Sequence, residues 1–351
     1  MSGSMRTDCR VSDVTPTGPT SGSKSRTGLL CVLAALLAAT GVGYAQRADA
    51  QEFALFGGAL TGAGSHTYSW AFDYHEGLGK YAALGMTWLN EGHLPGHHRD
   101  GQSIQLWGRL PLADRRIVLS AGVGPYRYSD TVSSRPNGFM NNHGWGALMS
   151  VRAAYYTSHR WILQAQLNRA QIGGGPSTSG ILLGIGYQLD APDEPGPRDL
   201  PLARKDRVTS NEFAVLAGET IKNSLNSESG FSTSVEYRRG LFRYVDWSAT
   251  YMHENVPAAV RRNGLGSQLW LTRAFFNERL TLAVGAGAYY AIDVFNEPGS
   301  EGIKGTISGL VSLSASYRLS KHWLTRVTWN RVVTRSSLDA DMIQAGIGYR
   351  F

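Results

Sequence analysis

Histidines and carboxylates gather in one short stretch of the sequence. Residues 90–101 read NEGHLPGHHRDG and contain His93, His97, His98 and Asp100. Clustered imidazole and carboxylate groups are common ligands of Zn²⁺ and Cu²⁺, and an imidazole can also act as a general base. Three interpretations are open for these residues: a metal site, a catalytic site, or a loop whose histidines are solvated.

The segments around this stretch alternate apolar residues with polar or small ones. In residues 82–91, Leu84, Met86 and Trp88 share one face. Period-two alternation predicts β-strands, and a tilted strand of about ten residues can cross a bilayer. The same pattern predicts strands at 52–61, 67–76, 102–112, 117–130, 145–157, 161–172, 179–190, 211–221, 231–239, 245–254, 265–276, 280–294, 306–319, 323–334 and 341–351.

The connections between these strands alternate in length. Short turns on one side and longer loops on the other are typical of transmembrane β-barrels. The histidine-bearing stretch is predicted to be one of the longer loops, on the side opposite to both chain termini. The tight turns are 77–80, 113–115 and 158–160, and the longer loops are 92–101, 131–144 and 173–178.

The whole strand pattern occurs twice. The motif QLW at 105–107 recurs at 268–270, and GIGY at 184–187 recurs at 346–349, with offsets that stay between 160 and 163 across the repeat. Matches in the same order at nearly constant spacing indicate an internal duplication. The second-unit counterpart of the histidine-bearing stretch, residues 254–264, contains no histidine.

The last strand resembles a known family. Ile347, Tyr349 and Phe351 share the apolar face of DMIQAGIGYRF, and the sequence given ends on the aromatic residue. This pattern resembles the closing strand of bacterial outer-membrane β-barrel proteins, in which a C-terminal Phe and alternating apolar residues are read by the barrel assembly machinery. The resemblance implies an outer-membrane location among lipids and lipopolysaccharide, with outward aromatics such as Trp88 and Trp329 facing the membrane.

Two all-β architectures fit: a transmembrane antiparallel up-and-down barrel of sixteen strands, or two tandem eight-stranded barrels. The tandem arrangement is favoured because the first unit ends in its own closing strand and inward aromatics such as Trp107 and Trp270 fill space. Small barrels pack their interiors with side chains, whereas sixteen-stranded porins leave a channel. The predicted regions are a signal peptide with a polar extension at 1–50, units at 51–190 and 211–351, and a Pro-rich linker at 191–210.

Several charged residues are predicted to point into the first unit. Asp73, Glu91, Arg109 and Arg152 fall on its inward faces. Because an unpaired buried charge is very costly, we expect them to pair within a packed polar interior. A narrow polar path is the alternative.

Composition excludes other classes. The net charge is +7, but basic residues do not form runs with interleaved aromatics, so nucleic-acid binding is not expected. The apolar run at 28–45, preceded by Lys24 and Arg26, is typical of a signal peptide. The only cysteines, Cys9 and Cys31, precede residue 51, so thiol chemistry is not expected in the mature chain.

The sequence therefore predicts an outer-membrane protein with a non-catalytic envelope role, which could be structural, adhesive or that of a narrow passive pore. No cofactor is expected, and the oligomeric state is open. The alternative is a surface enzyme that modifies lipid A or binds metal through the histidine-rich loops of the first unit. Eight-stranded barrels that modify lipid A use a His with a Ser near the outer rim, but no His-x-Ser arrangement here matches them. No catalytic residue is assigned.

Overall fold

A computed structural model describes residues 51–134, 138–189, 196–197, 211–224, 227–242, 244–256, 260–295, 307–334 and 338–351. The predicted signal peptide and nearly all of the predicted linker lie outside these ranges. Within the described residues, no helix is both long and apolar enough to cross a membrane.

The first eight strands form one closed antiparallel barrel, called barrel 1. Glu52 in β1 pairs with His75 in β2 on one side and with Gln188 in β8 on the other, which closes the ring. The strands are β1 (Glu52–Gly62), β2 (Ser65–Gly77), β3 (Ala82–Leu94), β4 (His97–Leu112), β5 (Ile117–Ser134), β6 (Gly138–Tyr156), β7 (Trp161–Ile172) and β8 (Thr178–Gln188).

The next eight strands form a second closed barrel, called barrel 2. Here β9 pairs with both β10 and β16. The tandem prediction is therefore confirmed, and a single sixteen-stranded barrel is excluded. The strands are β9 (Glu212–Lys222), β10 (Ser229–Phe242), β11 (Val245–Val256), β12 (Val260–Phe275), β13 (Leu280–Phe295), β14 (Ile307–Arg318), β15 (Trp323–Val333) and β16 (Ala340–Arg350).

The alternating pattern decides which side chains enter each barrel. In β7, WILQAQLNRAQI, every second residue is buried and the residues between are exposed. Half of the buried set is polar, namely Gln164, Gln166 and Asn168, whereas most of the exposed set is apolar. We call the end of each barrel that carries the β2–β3 or β10–β11 turn its base, and the opposite end its rim.

The predicted long loops at 92–101 and 131–144 are wrong, because both are largely strand. His93 pairs with His98 around a tight turn, and Gly96 in that turn adopts a left-handed φ of 73°. The ladder between β4 and β5 likewise continues as far as His97 and Val132. These strands extend beyond the apolar stretch because polar residues continue the alternation. The side chains become polar towards the rim, but the strands remain hydrogen-bonded to each other.

Each barrel interior is centred on one tryptophan. Trp107 and Trp270 are essentially inaccessible to solvent, at 0% and 1% exposure. Trp107 packs against Gly85 and Gly122, and Trp270 packs against Gly285, where an added Cβ would collide with the indole. These side chains occupy the space that a channel would need.

Candidate functional site

The charged residues predicted inside the first unit are buried in barrel 1. Asp73, Glu91, Arg109 and Arg152 are all below 9% exposure. Arg152 donates hydrogen bonds to Asp73 and, over 2.6 Å, to Gln166. Its guanidinium carbon also lies 4.6 Å from the ring centroid of Trp107. Because a lone buried charge is very costly, these contacts account for the presence of Arg152 in the interior.

Nearer the rim, Glu91 closes the interior of barrel 1. Its carboxylate accepts hydrogen bonds from Arg99 Nε at 2.7 Å and Nη2 at 2.6 Å, and from the Tyr126 hydroxyl at 2.8 Å. The hydroxyl of Thr178 donates to the same carboxylate. We call Glu91, Arg99 and Tyr126 the plug of barrel 1, since all three are almost completely buried.

Barrel 2 contains the same plug. Glu254 accepts hydrogen bonds from Arg262 Nε at 3.0 Å and Nη2 at 2.6 Å, and from the Tyr289 hydroxyl at 2.9 Å. Each member follows its barrel 1 counterpart by 163 residues. Glu91 was predicted to point into the first unit, and the constant offset of all three residue types would have identified the whole plug in both barrels.

Below the plug, each barrel contains a buried carboxylate–arginine pair, but the arginine comes from a different strand in each barrel. Asp73 in barrel 1 corresponds to Glu236 in barrel 2, also at an offset of 163. Arg152 reaches Asp73 from β6, whereas Arg326 reaches Glu236 from β15, the counterpart of β7.

Neither barrel has an arginine at the position that the other barrel uses for this pair. Barrel 2 has Ser314 at the position of Arg152, and barrel 1 has Gln164 at the position of Arg326, both at an offset of 162. One buried carboxylate and one arginine are therefore retained in each barrel, although the arginine has moved to a neighbouring strand. In both barrels the buried carboxylate is thus neutralised by an arginine, and the strand that supplies this arginine differs.

The predicted metal ligands do not converge. The rings of His93 and His98 are 4.1 Å apart, but His97 Nδ1 lies 2.9 Å from Asp130 Oδ2, and Asp100 is bonded to Arg331 of barrel 2. In the described part of the chain, no group of three or more His, Cys, Asp or Glu side chains is placed to hold a metal ion. Successive side chains of β4 point to opposite faces of the strand. His97 and His98 are neighbours and therefore point in opposite directions, which explains why the predicted ligands do not converge.

Asp100 instead belongs to an ion-pair cluster that joins the barrels near the rim. Arg331 Nη2 donates to Asp100 Oδ2 at 2.6 Å, and Nη1 donates to the other oxygen. The same guanidinium donates to Asp341 through Nε at 2.7 Å and Nη2 at 2.6 Å. The planar guanidinium group can bind two carboxylates at once. Arg331 therefore binds one carboxylate from each barrel, Asp100 from barrel 1 and Asp341 from barrel 2.

A second contact joins the two barrels beside this cluster. His143 Nε2 of barrel 1 lies 2.5 Å from Asp339 Oδ2 of barrel 2. Between the two contacts is a cavity of about 20 Å³, room for roughly one water molecule. Burial and the nearby His93 lower the pKa of His98 to about 4. The cavity is lined by His98, Asp100, Ser129, Asp130, Thr131, Asn141, Asn223, Arg331 and Asp339.

The contact between the barrels continues down to the base. Trp88 and Trp329 pack with ring centroids 3.9 Å apart, and each is 7% exposed. At the base, Arg273 Nη2 donates to Glu76 Oε1 at 2.6 Å. The prediction that Trp88 and Trp329 face the membrane is therefore wrong. Each side chain points out of its own barrel, but it packs against the other tryptophan. We call this set of contacts the inter-barrel face.

Elsewhere, the outer surfaces are apolar. The predicted assembly residues Ile347, Tyr349 and Phe351 are 57%, 41% and 61% exposed. At the base, Trp161 and Trp323 stand at equivalent places, and each packs edge-on against a tyrosine of its own barrel. Other large exposed apolar residues of the barrels are Leu55, Ile104, Leu106, Val151, Leu163, Leu167, Ile181, Leu183, Ile185, Val215, Leu265, Leu269, Val327 and Ile343.

Comparisons with known proteins give structural likenesses only. No protein-family model matches the sequence, and no curated protein is a significant match. The N-terminal β-barrel domain of Pseudomonas aeruginosa OprF is similar over 40% of this chain and 100% of its own length, at 13% identity and a TM-score of 0.33. Ail, the attachment invasion locus protein of Yersinia pestis, is similar over 40% of this chain and 98% of its own, at 8% identity and a TM-score of 0.31.

Neisserial surface protein A is similar over 40% of this chain and 96% of its own, at 11% identity and a TM-score of 0.30. At TM-scores this low, the likenesses carry no argument about function or location.

Proposed function

We propose that the chain is an outer-membrane protein in which two closed, non-conducting barrels are held side by side, with a structural or surface-presenting role in the envelope. The observation that carries this proposal is the duplicated plug, because Glu91–Arg99–Tyr126 and Glu254–Arg262–Tyr289 fill both interiors. No catalytic chemistry is part of the proposal.

Membrane insertion is supported by the inverted polarity of both barrels. Apolar side chains such as Leu163 and Ile347 face outward, while charged ones such as Arg152 and Arg326 are buried inside. A soluble barrel would place these groups the other way round. In a membrane-spanning barrel, closure satisfies every strand edge and the outer band is apolar. The outer membrane is inferred from the closing-strand resemblance of Ile347, Tyr349 and Phe351.

Two filled interiors argue against a porin. Trp107 and Tyr126 in barrel 1, and Trp270 and Tyr289 in barrel 2, are at most 1% exposed. Eight-stranded barrels are narrow enough for side chains to fill them. Passage of a solute would require both the plug and the tryptophan of one barrel to move.

Single-channel recording of the full chain in planar bilayers tests the closed state. We expect no conductance steps of the nanosiemens size that open porins give. Steps of that size would overturn the proposal, because they would require an interior that is not filled. A heat-modifiable band on gels of the same preparation confirms that the recorded protein is folded.

Cysteine labelling in cells tests location and orientation. Both natural cysteines precede residue 51, so an introduced cysteine is the one reactive site in the processed chain. Pro95→Cys lies in the rim turn of β3–β4, and His159→Cys lies in the base turn of β6–β7. We expect a membrane-impermeant maleimide to label Pro95→Cys on intact cells and His159→Cys only after permeabilisation. Equal labelling of both variants on intact cells would contradict the outer-membrane orientation.

A further inference from the structure

An arginine occupies equivalent outward positions near the rim of the two barrels. Arg169 of β7 and Arg331 of β15 are separated by 162 residues, the offset between these two strands. In barrel 2, Arg331 is buried in the inter-barrel face and binds the carboxylates of Asp100 and Asp341. Asp341 is also its partner across the β15–β16 ladder. This arginine is therefore neutralised within the chain.

Arg169 of barrel 1 is not neutralised in this way. Its ladder partner on β8 is Ser179, at the position that Asp341 holds in barrel 2. Arg169 Nη1 donates to Ser179 Oγ at 2.9 Å, and the guanidinium makes no other hydrogen bond or ion pair with the described residues. The Arg169 side chain is also exposed. Barrel 1 thus retains the arginine but gives it a neutral partner.

The Arg169 side chain points away from barrel 2. Barrel 1 contacts barrel 2 through Trp88 of β3, and β7 lies four strands further round a closed ring of eight. Strands that are four apart in such a ring lie on opposite sides of the barrel. With the rim at the cell exterior, Arg169 therefore faces the outer leaflet of the membrane that surrounds the two barrels.

The outward surface of barrel 1 changes from apolar to polar at the level of Arg169. One row nearer the base, Val151, Leu167 and Ile181 stand side by side on β6, β7 and β8, and each is more than half exposed. Two strands further on, the row of Arg169 reaches Thr61 of β1, which is polar and exposed. The apolar band of a membrane-spanning barrel contacts the acyl chains. Arg169 therefore lies at the level of the lipid headgroups.

We propose that Arg169 binds a phosphate group of lipid A, whose acyl chains pack along Val151, Leu167 and Ile181. Guanidinium binds phosphate in bidentate geometry, and a phosphate monoester carries a charge of about −1.5 to −2 at neutral pH. Lipid A combines phosphates with acyl chains in one molecule of the outer leaflet. The inference rests on the proposed function, which places the rim at that leaflet.

A second copy of the chain does not supply an equivalent anion. The carboxylate that binds Arg331 from the other barrel is Asp100, and it is already bound within each pair of barrels. The open face of barrel 2 has Asn263 at the position of Asp100, and the Oδ1 of Asn263 is held by hydrogen bonds within barrel 2. A neutral amide does not provide a counter-charge for Arg169, whereas a lipid phosphate does.

Native mass spectrometry of the full chain in detergent micelles, titrated with diphosphoryl lipid A, tests the site. We expect Arg169→Gln to weaken binding of the first lipid A at least about fivefold, the effect of one arginine at an anionic lipid surface. Arg239→Gln is the matched control, because Arg239 is an exposed arginine of β10 near the base. This control variant should bind lipid A as the wild type does.

A second variant weakens the site while keeping the arginine. Ser179→Asp introduces into barrel 1 the aspartate that barrel 2 has as Asp341. The new carboxylate would pair with Arg169 across the ladder and compete with the phosphate, so lipid A binding should fall. Barrel 2 accommodates the same pair of residues at these positions, and a heat-modifiable band confirms that each variant is folded.

Two further probes define the ligand. Lipid A without phosphates should bind the wild type more weakly than diphosphoryl lipid A does. Phosphatidylglycerol should also bind more weakly, because its phosphate carries a single charge. Binding of either probe as tight as that of diphosphoryl lipid A would overturn the proposal.

Two other results would also overturn it. One is equal affinity of the wild type and Arg169→Gln for diphosphoryl lipid A. The other is a dimer of the chain that is present for the wild type and absent for Arg169→Gln, which would identify a second copy as the occupant. Neither result would affect the closed pair of barrels, because conductance and cysteine labelling test the proposed function separately.

Discussion

Trp88 of barrel 1 packs against Trp329 of barrel 2 with ring centroids 3.9 Å apart. The two indoles lie midway along the inter-barrel face, between the Asp100–Arg331 pair near the rim and the Glu76–Arg273 pair at the base. Exclusion from water contributes little to association between surfaces that would otherwise contact lipid, so packing and polar contacts must hold such surfaces together. The tryptophan pair and the flanking ion pairs supply both.

A double-mutant cycle on Trp88→Ala and Trp329→Ala should give a coupling free energy of about 0.5–1.5 kcal/mol, the usual range for an aromatic pair. The measurement is denaturant unfolding in detergent or lipid. Trp161, which lies at the base of barrel 1 and packs against Tyr187, provides the matched cycle with Trp329. Coupling in the control cycle equal to that of Trp88 would show that the indole contact is not what joins the barrels.

Removing the carboxylate of the plug should be costly. Glu91→Gln removes the main counter-charge of the buried Arg99 guanidinium and leaves it only Asp130, whose Oδ2 lies 4.0 Å from Nη1. We therefore expect a loss of about 3 kcal/mol in the free energy of unfolding, at the lower end of the range for breaking a buried ion pair. The double variant Glu91→Met/Arg99→Met removes both charges and should recover most of that loss. Denaturant titration followed by heat-modifiability measures both variants, and a double variant no more stable than Glu91→Gln would contradict the assignment.

The exchange of arginine between strands can be reproduced in barrel 1. Arg152→Ser alone leaves Asp73 unpaired, and Gln164→Arg alone adds a cation without a new carboxylate, so each should destabilise the protein by more than about 1 kcal/mol. Together they install the arrangement of barrel 2, and the double variant should be more stable than either single one. Additive losses in unfolding experiments would show that the two arginine positions are not equivalent.

Lowering the pH should destabilise the folded protein at the rim of barrel 1 through protonation of His98. Its pKa in the folded protein is lowered to about 4, below the ordinary value of about 6.5 in an unfolded chain. The unfolded state therefore binds more protons between these values, so the stability present above pH 6.5 is lost as the pH falls toward 4. His98→Asn should lose less stability than the wild type over this interval, whereas the exposed His159→Asn serves as the surface control. Parallel stability–pH curves for His98→Asn and the wild type would exclude this contribution.

Alternation and repetition were enough to predict most of the architecture. The strict period of β7 predicts its buried and exposed faces, and the recurrence of QLW and GIGY predicts two units that each close. The rim hairpins were missed because polar residues follow the apolar ones there. Strand pairing continues past that change, and the short turn at Gly96 does not interrupt it.

The candidate site was predicted less completely, for a physical reason. Period-two patterns report whether a side chain points in or out, and Trp88, Asp100 and Arg331 all point out of their own barrels. Nothing in the local sequence distinguishes an outward residue that meets lipid from one that meets another barrel. The contact is determined by the packing of two surfaces far apart in sequence.

The inter-barrel face joins unlike surfaces of two similar barrels, which is the head-to-tail geometry that can add subunits without limit. The positions that would continue the row have diverged. Barrel 2 has Tyr251 where barrel 1 has Trp88, and barrel 1 has Leu167 where barrel 2 has Trp329; both residues are exposed. Asn263 likewise replaces the acidic partner Asp100. The residues that make the joint are thus replaced at both outer faces, so neither face offers a further barrel the contacts that Trp88, Asp100 and Trp329 make within the pair.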